Sequence, residues 1–325
     1  MTRLKPAPRQ PVRTWWWNLL AILVSSASLS MLCFQLGAVS GSDEPEVDVA
    51  RLSGDTPIET APAGSGQASI SDHPRGMVSG GGNTVLTGRL ALLMNLLLIE
   101  RGHARLAAVP DYSATFFKQE RIGGELSEAQ VMRIKLRHQP LSIYIKWLTC
   151  DKGRELIYVE GQNDGKMLVH VGGWKARLLP TVKLDPEGAR AMQESRHPVT
   201  KIGLLEVARR SISYRQRDLE AATGVHCRML DNQKFDDRDC YCFILEYDRP
   251  ELSDGYRKVV AYVDKQLSLP VSVKNYGWPK QATTADTEQL DEETLLEIYS
   301  YSSIKLNQQL DDGDFDRHNK RYKFR

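Results

Sequence analysis

Gln130-Val-Met-Arg-Ile-Lys-Leu-Arg137, turned at Gln139-Pro140 into Ser142-Ile-Tyr-Ile-Lys-Trp147, decides the fold. Met132, Ile134 and Leu136 alternate with Arg133, Lys135 and Arg137, so an extended chain sends the apolar set to one face and the cations to the other. A helix would scatter both sets around its axis. Besides these runs at 130–138 and 141–148, short segments of the same character lie at about 112–121, 154–161, 165–172, 174–180, 224–234, 239–248, 256–264, 270–277 and 294–306. Gly123-Gly124, Asp151-Lys152-Gly153, Asn163-Asp164-Gly165 and Gly172-Gly173 supply turns, which makes neighbouring strands antiparallel hairpins. The sum is about eleven strands, a mainly β (α+β) domain whose sheet must curl or close to protect its edges.

Two helical regions interrupt the strands. Thr87 to Ala108 places Leu90, Leu93, Met94, Leu97, Leu98 and Arg101 on helical spacing, with Arg101, His103 and Arg105 near its end and Pro110 as a stop. That stripe is read as a core-packing face. Between 186 and 220, Asp185 can cap a helix with Pro186 at its first position, and Thr200 can cap a second through Leu204, Leu205, Val207 and Ala208.

Upstream, Arg3, Lys5, Arg9 and Arg13 precede an apolar run from Trp15 to Val39, and no charge follows until Asp43. Small residues at Ala38 and Ser40 suit signal cleavage after Ser40. The length of the run and the aromatic Trp15-Trp16-Trp17 equally suit an uncleaved membrane anchor. Ser30-Met31-Leu32 before Cys33 is a poor lipidation box. Residues 1–40 are thus a signal peptide or anchor, and 41–84, rich in Gly, Ser and Pro, read as a flexible linker. Residues 85–325 form the domain, placed in the periplasm or another extracytoplasmic space. A net charge of +2 on 325 residues argues against a nucleic-acid partner.

His226, Cys227, Cys240 and Cys242 invite a metal site, but the two-residue knuckle spacing is missing and His226 and Cys227 point to opposite faces of one strand. In an oxidising compartment a disulfide from Cys227 to Cys240 or Cys242 is the simpler expectation, with Cys150 free or paired to the remaining one. Asp311, Asp312, Asp314 and Asp316 lack the glycine and terminal glutamate of a calcium loop and read as a solvated acidic turn. Arg196-His197-Pro198 reads as a loop ordered ahead of a helix. No Ser/His/Asp set or carboxylate pair has a spacing that names a nucleophile, acid or base, and no cofactor is expected.

Tyr112-Ser-Ala-Thr-Phe-Phe-Lys-Gln-Glu-Arg-Ile-Gly-Gly124, Ser142 to Trp147, Gly153-Arg-Glu-Leu-Ile-Tyr-Val-Glu-Gly161 and Ser195-Arg-His-Pro-Val-Thr-Lys-Ile-Gly203 resemble bacterial domain-of-unknown-function family 1571, known mainly from planctomycetes. Asp264 with Leu269-Pro270, and Asp314-Phe-Asp with Tyr322-Lys-Phe324, are similar to its later blocks. More distantly, a helix followed by Phe117-Lys-Gln119 and hairpins resembles the periplasmic lipoprotein carriers, the LolA/LolB/RseB-like superfamily. That resemblance implies a half-open β-barrel with helices at its mouth and an apolar cavity for acyl chains.

On that reading Phe117, Met132, Ile134, Leu136, Ile143, Ile145, Trp147, Ile157 and Val159 are candidates for the concave lining, each set recurring at period two, unless they fill a core instead. Leu93, Leu97, Leu204 and Leu205 form the helical lid or core layer. The expected protein is a non-catalytic envelope protein binding a lipid or lipoprotein, possible membrane association running through 15–39. A sensor or interaction domain with a filled barrel, binding another envelope protein, is the alternative, and an extracytoplasmic hydrolase the third.

Overall fold

A computed structural model describes residues 48–54, 85–173, 179–280 and 286–324. The expected export segment, most of the linker, and 174–178 of the expected strand 174–180 lie outside them. Thirteen strands form one antiparallel sheet. In chain order they are β1 (Val85–Thr87), β2 (Asp111–Ile122), β3 (Glu125–Leu126), β4 (Gln130–Arg137), β5 (Ser142–Trp147), β6 (Glu155–Val159), β7 (Met167–His170), β8 (Val182–Leu184), β9 (Val225–Phe235), β10 (Arg238–Tyr247), β11 (Tyr256–Asp264), β12 (Pro270–Gly277) and β13 (Leu295–Leu306). The order across the sheet is β1-β9-β10-β11-β12-β13-β2-β4-β5-β6-β7-β8, with β3 folding back on β2. Two meanders, β4–β8 and β9–β12, therefore meet through the central pair β13 and β2, and among the described residues β1 and β8 are the end strands. The additional strands β1, β3 and β8 are two or three residues long, too short to show a period.

The helices are α1 (Val49–Ser53), α2 (Gly88–Ala107), α3 (Ala189–Met192), α4 (Leu204–Glu220) and α5 (Thr287–Thr294). One large apolar cluster takes in α2, α4 and the inner face of the sheet, from Cys227, Met229 and Leu245 round to Ile134, Ile145 and Val169. Three smaller clusters lie on the outer face. α1 covers one of them, placing Leu52 against Phe117, Val131 and Ile298. This single turn, capped by Asp48 and ended by Gly54 in the left-handed region, lies inside the stretch read as linker.

α2 corrects the expected face. Its buried residues are Ala91, Leu92, Asn95, Leu96, Ile99, Gly102 and Leu106, whereas Leu90 (66% exposed), Leu93, Met94 and Leu97 (55% exposed) face solvent. The helix lies so close to the turn between β11 and β12 that a Cβ on Gly102 would sit 2.1 Å from the Ser268 carbonyl oxygen. Close backbone approach selects small residues, and the bulky leucines fall on the other side.

α4 begins at Leu204, not at Thr200, which lies in a single 3₁₀ turn (Val199–Lys201). The first amides of α4 are satisfied by two buried tyrosines: Gly203 N–H donates to Tyr301 Oη at 3.0 Å and Leu204 N–H to Tyr112 Oη at 2.9 Å. Gly203 has φ +110° and would place a Cβ 2.7 Å from Leu136 Cδ1, so glycine is required there. Asp185 does not cap a helix at Pro186. Its side chain instead accepts from Glu187 N–H in a turn, and α3 starts at Ala189.

The disulfide expectation is overturned: Cys150, Cys227, Cys240 and Cys242 are free. Asp236 and Asp237, both at positive φ, make a two-residue turn that sets Arg238 opposite Phe235 and Leu245 opposite Cys227. Cys227 therefore joins the inner cluster while Cys240 and Cys242 join an outer one. Burial raises the Cys227, Cys240 and Cys242 thiols to about 12.

The aspartates 311–316 form an acidic turn, with Asp311, Asp312 and Asp316 exposed as expected, and it is also tied to the sheet. Asp311 and Asp314 form a reciprocal cap, Asp314 pairs with Lys135 at 2.6 Å, and Asp312 pairs with Arg137 at 2.8 Å. The C-terminal segment thus covers the face of β4 that reads as wet, with Tyr322 stacked 4.1 Å from Tyr144 and Phe315 in the cluster with Ile157 and Val159.

Gly102→Ala should destabilise the domain by about 1–3 kcal/mol through overpacking, although alanine is the better helix former. A melting temperature equal to wild type would refute the close packing of α2. Reductant should leave the melting temperature unchanged, since no bridge joins the described cysteines; a fall of several degrees would show one.

Candidate functional site

The inner face is not filled throughout. α2 and α4 make their principal sheet contacts with β9 and β12. Over the other meander a cavity of about 330 Å³ remains. Its walls are Met132 of β4, Ile145 and Trp147 of β5, Leu156 of β6, Met167 and Val169 of β7, and Val182 and Leu184 of β8. Val207 and Arg210 of α4 close one side. Leu179 lies beside β8, and the roof is the stretch from Pro186 to Ile202, through Ala191, Pro198 and Val199.

Of the expected lining residues, the structure brings Met132, Ile145 and Trp147 to the cavity. Ile134, Leu136 and Ile143 share that face but are packed into the core. Phe117, Ile157 and Val159 lie on the opposite face, under α1 and the C-terminal segment. The register explains this: Ile145 pairs with Leu156 and Ile143 with Tyr158, so the inward residues of β6 are the even-numbered ones. Leu93 and Leu97 are exposed and cover nothing. Leu204 is buried in the core and Leu205 packs against it, so the roof is the loop stretch, not the helices.

The floor is charged. Lys118 and Glu120 continue the inward positions of β2 beyond Tyr112, Ala114 and Phe116, and Glu297 lies opposite Glu120 on β13. Two carboxylates directly across a strand pair repel, and each is only 1% exposed, so both need donors. Glu120 accepts from the Tyr299 hydroxyl, from Lys118 Nζ at 3.1 Å and from Arg196 N–H at 3.2 Å. Glu297 accepts from Asn275 Nδ2 at 2.7 Å, Arg196 Nε at 2.8 Å and Tyr256 Oη at 2.9 Å, with His197 Nε2 at 3.4 Å. Burial by itself would raise the Glu297 carboxyl, but the bond from His197 and those from Asn275 and Arg196 outweigh it and bring it down to about 2.

These bonds fasten the roof to the floor. Arg196 grips both carboxylates, and Lys118 Nζ also donates to Ser195 Oγ at 3.2 Å and the Glu194 carbonyl at 3.3 Å. At the opposite side Arg154 stacks 4.9 Å from the Trp147 ring and pairs with Glu194 at 2.7 Å. The sequence does carry a signal for this floor: the inward positions switch from aromatic to charged at Lys118 on β2, opposite Tyr299, and at Glu297 on β13, opposite Glu120.

The cavity does gather His197 with two carboxylates, which bears on the hydrolase reading. Ser195 Oγ, however, donates to the His197 carbonyl oxygen at 2.9 Å, not to the imidazole. A carboxylate held near 2 by several donors is a weak base at neutral pH. His226 pairs with Asp248 at 2.9 Å on the surface, outside the cavity. Among the described residues no group of three or more His, Cys, Asp or Glu could hold a metal.

A carboxyl lowered on folding stabilises the fold fully above its unfolded value, near 4.5, and loses that contribution as pH falls towards about 2. Stability should therefore drop over that window, by about 3 kcal/mol from this group. Glu297→Gln should be less stable at pH 7 and should flatten the decline; an identical pH profile for wild type and variant would exclude Glu297 as its source.

No curated protein matches this sequence. Among solved structures the chain is similar to the Mycobacterium tuberculosis lipoprotein LppX, with a TM-score of 0.39 at 11% identity over 69% of this chain and 99% of that one. For the Pseudomonas aeruginosa MucA/MucB complex the TM-score is 0.38 at 11% identity, over 69% of this chain and 60% of that one. A LolA superfamily protein from Nitrosomonas europaea gives 0.25 at 12% identity, over 68% and 96%. Residues 109–324, from the start of β2 through the C-terminal segment that covers β4 and β5, match the family described as protein of unknown function DUF1571, and the chain belongs to that family.

Proposed function

We propose that this is a non-catalytic cell-envelope protein that holds a hydrophobic ligand, a lipid or the acyl chain of a lipoprotein, between the sheet and its roof. The observation that carries the reading is the hollow itself. Close packing leaves few voids larger than a water in a protein core, whereas about 330 Å³ of largely apolar space remains here, at the lower end of the size of ligand sites. The roof is turns and loop rather than long helix, and besides the apolar contacts of Ala191, Val199 and Ile202 it is attached by polar contacts. Such contacts can be exchanged for water during opening, which apolar core packing cannot.

The proposed location is the periplasm or another extracytoplasmic space, on the basic, apolar order of the N-terminus. Among the described residues no helix is long and apolar enough to cross a membrane, and the apolar run 15–39 lies outside them. A second reading, a domain that binds another envelope protein, has one observation in its favour: the exposed row Leu90, Leu93, Met94 and Leu97 on α2.

Native mass spectrometry of the protein purified from an expressing bacterium, followed by organic extraction, should reveal a stoichiometric lipid or acylated species. Ile145→Trp, which fills the hollow, should lower the bound ligand at least about tenfold while the protein stays folded. A clean ligand-free mass that persists after incubation with lipids and lipopeptides would sink the proposal and favour the interaction domain.

A further inference from the structure

The charged groups around the cavity are unequally matched. Lys118, Arg154, Arg190, Lys201 and Arg210 face three carboxylates, Glu120, Asp151 and Glu194, a surplus of two cations. Lys118 is committed to Glu120, and Arg154 to Asp151 and Glu194. Arg190 and Lys201 are exposed at the rim, where water solvates them. Arg210 is different. It is half-buried between this cavity and a smaller one of about 50 Å³, and it pairs with no carboxylate among the described residues.

The nearby acids are already taken. Glu206, one turn earlier on α4, is held by Arg209 at 2.7 Å, and Glu297 is held by Arg196. Arg210 Nη1 lies against the His197 ring, 3.0 Å from Nε2 and 3.2 Å from Nδ1; with Nε2–H given to Glu297, Nδ1 is the nitrogen that accepts from it. Its Nε and Nη2 make no hydrogen bond among the described residues and are not buried, and the side chain lines both cavities. A guanidinium with spare N–H groups at the polar end of an apolar hollow matches two oxygens of one anion.

The size of the hollow restricts the rest of the ligand. About 330 Å³ is near the minimum for a ligand site and too little for a multi-chain lipid. Resting on the ligand-binding reading above, we propose that the cavity takes a single-chain anionic amphiphile, its chain against Met132, Ile145 and Val169 and its carboxylate or phosphate oxygens on Arg210. The His197 ring supports the guanidinium from one side.

The full-length protein, stripped of lipid and detergent, is titrated with dodecanoate, dodecyl phosphate and dodecanol, following Trp fluorescence. Wild type should bind at least one of the two anions at least about tenfold more tightly than the alcohol. Arg210→Gln should abolish that preference without changing dodecanol affinity, and Arg210→Lys should restore part of it. The tighter anion identifies the head group as carboxylate or phosphate. Equal binding of alcohol and anions by wild type, which needs no variant to fold, overturns the Arg210 site but leaves the hydrophobic cavity standing. Equal losses for alcohol and anion in Arg210→Gln overturn it in the same way, and no binding of any probe overturns both readings.

Discussion

Glu120 and Glu297 face each other across the β2–β13 pair, buried on the inner side of the sheet. This is an expensive arrangement, because each charge loses its hydration and the two repel. It persists because Lys118, Arg196, His197, Asn275, Tyr256 and Tyr299 all converge on it. Removing the carboxylates would leave Arg196 and Lys118 without a paired carboxylate and loosen the segment they anchor. The pair thus couples three things at one point: the junction of the two meanders, the position of the roof, and the polar end of the hollow.

The division of the interior follows from where helices are available. α2 and α4 pack on each other and on the β9–β12 side, where the Gly102 contact lets α2 come close. Apart from one side of α4, the opposite meander receives short turns among the described residues, and irregular backbone cannot present the continuous apolar stripe that fills a sheet face. A hollow on that side is the physical consequence, and its lining is apolar because strand alternation continues beneath it. The outer face is sealed separately, by α1 near β2 and β13 and by the C-terminal segment over β4 to β6.

Polar groups at the ends of elements are treated with the same economy. Tyr112 and Tyr301, both fully enclosed, present their hydroxyls to the start of α4 and replace the side-chain cap that the sequence suggests at Thr200. Asp264, also buried, holds the turn on which Gly102 rests by accepting from Gln266 N–H and Leu267 N–H at 2.9 and 2.6 Å. The Asp264 turn is local, but the tyrosine caps pair residues far apart in the chain, so local capping rules do not detect them.

By itself the sequence determined the strands of five residues or more that lie in the described residues, their antiparallel hairpins and the existence of α2, because period two and turn chemistry are local properties of the chain. It also determined that Ile145 and Trp147 share a face, as do Met132 and Ile134, since alternation within one strand needs no partner. The tertiary structure alone decided which face of β6 points inward, which side of α2 is buried and on which faces the cysteines fall. Each of those depends on register or on backbone approach between elements, and a one-residue change reverses it. The hollow is the furthest from the sequence of all. A filled core and a lined cavity use the same apolar residues at the same spacing, and only the distance between packed elements distinguishes them.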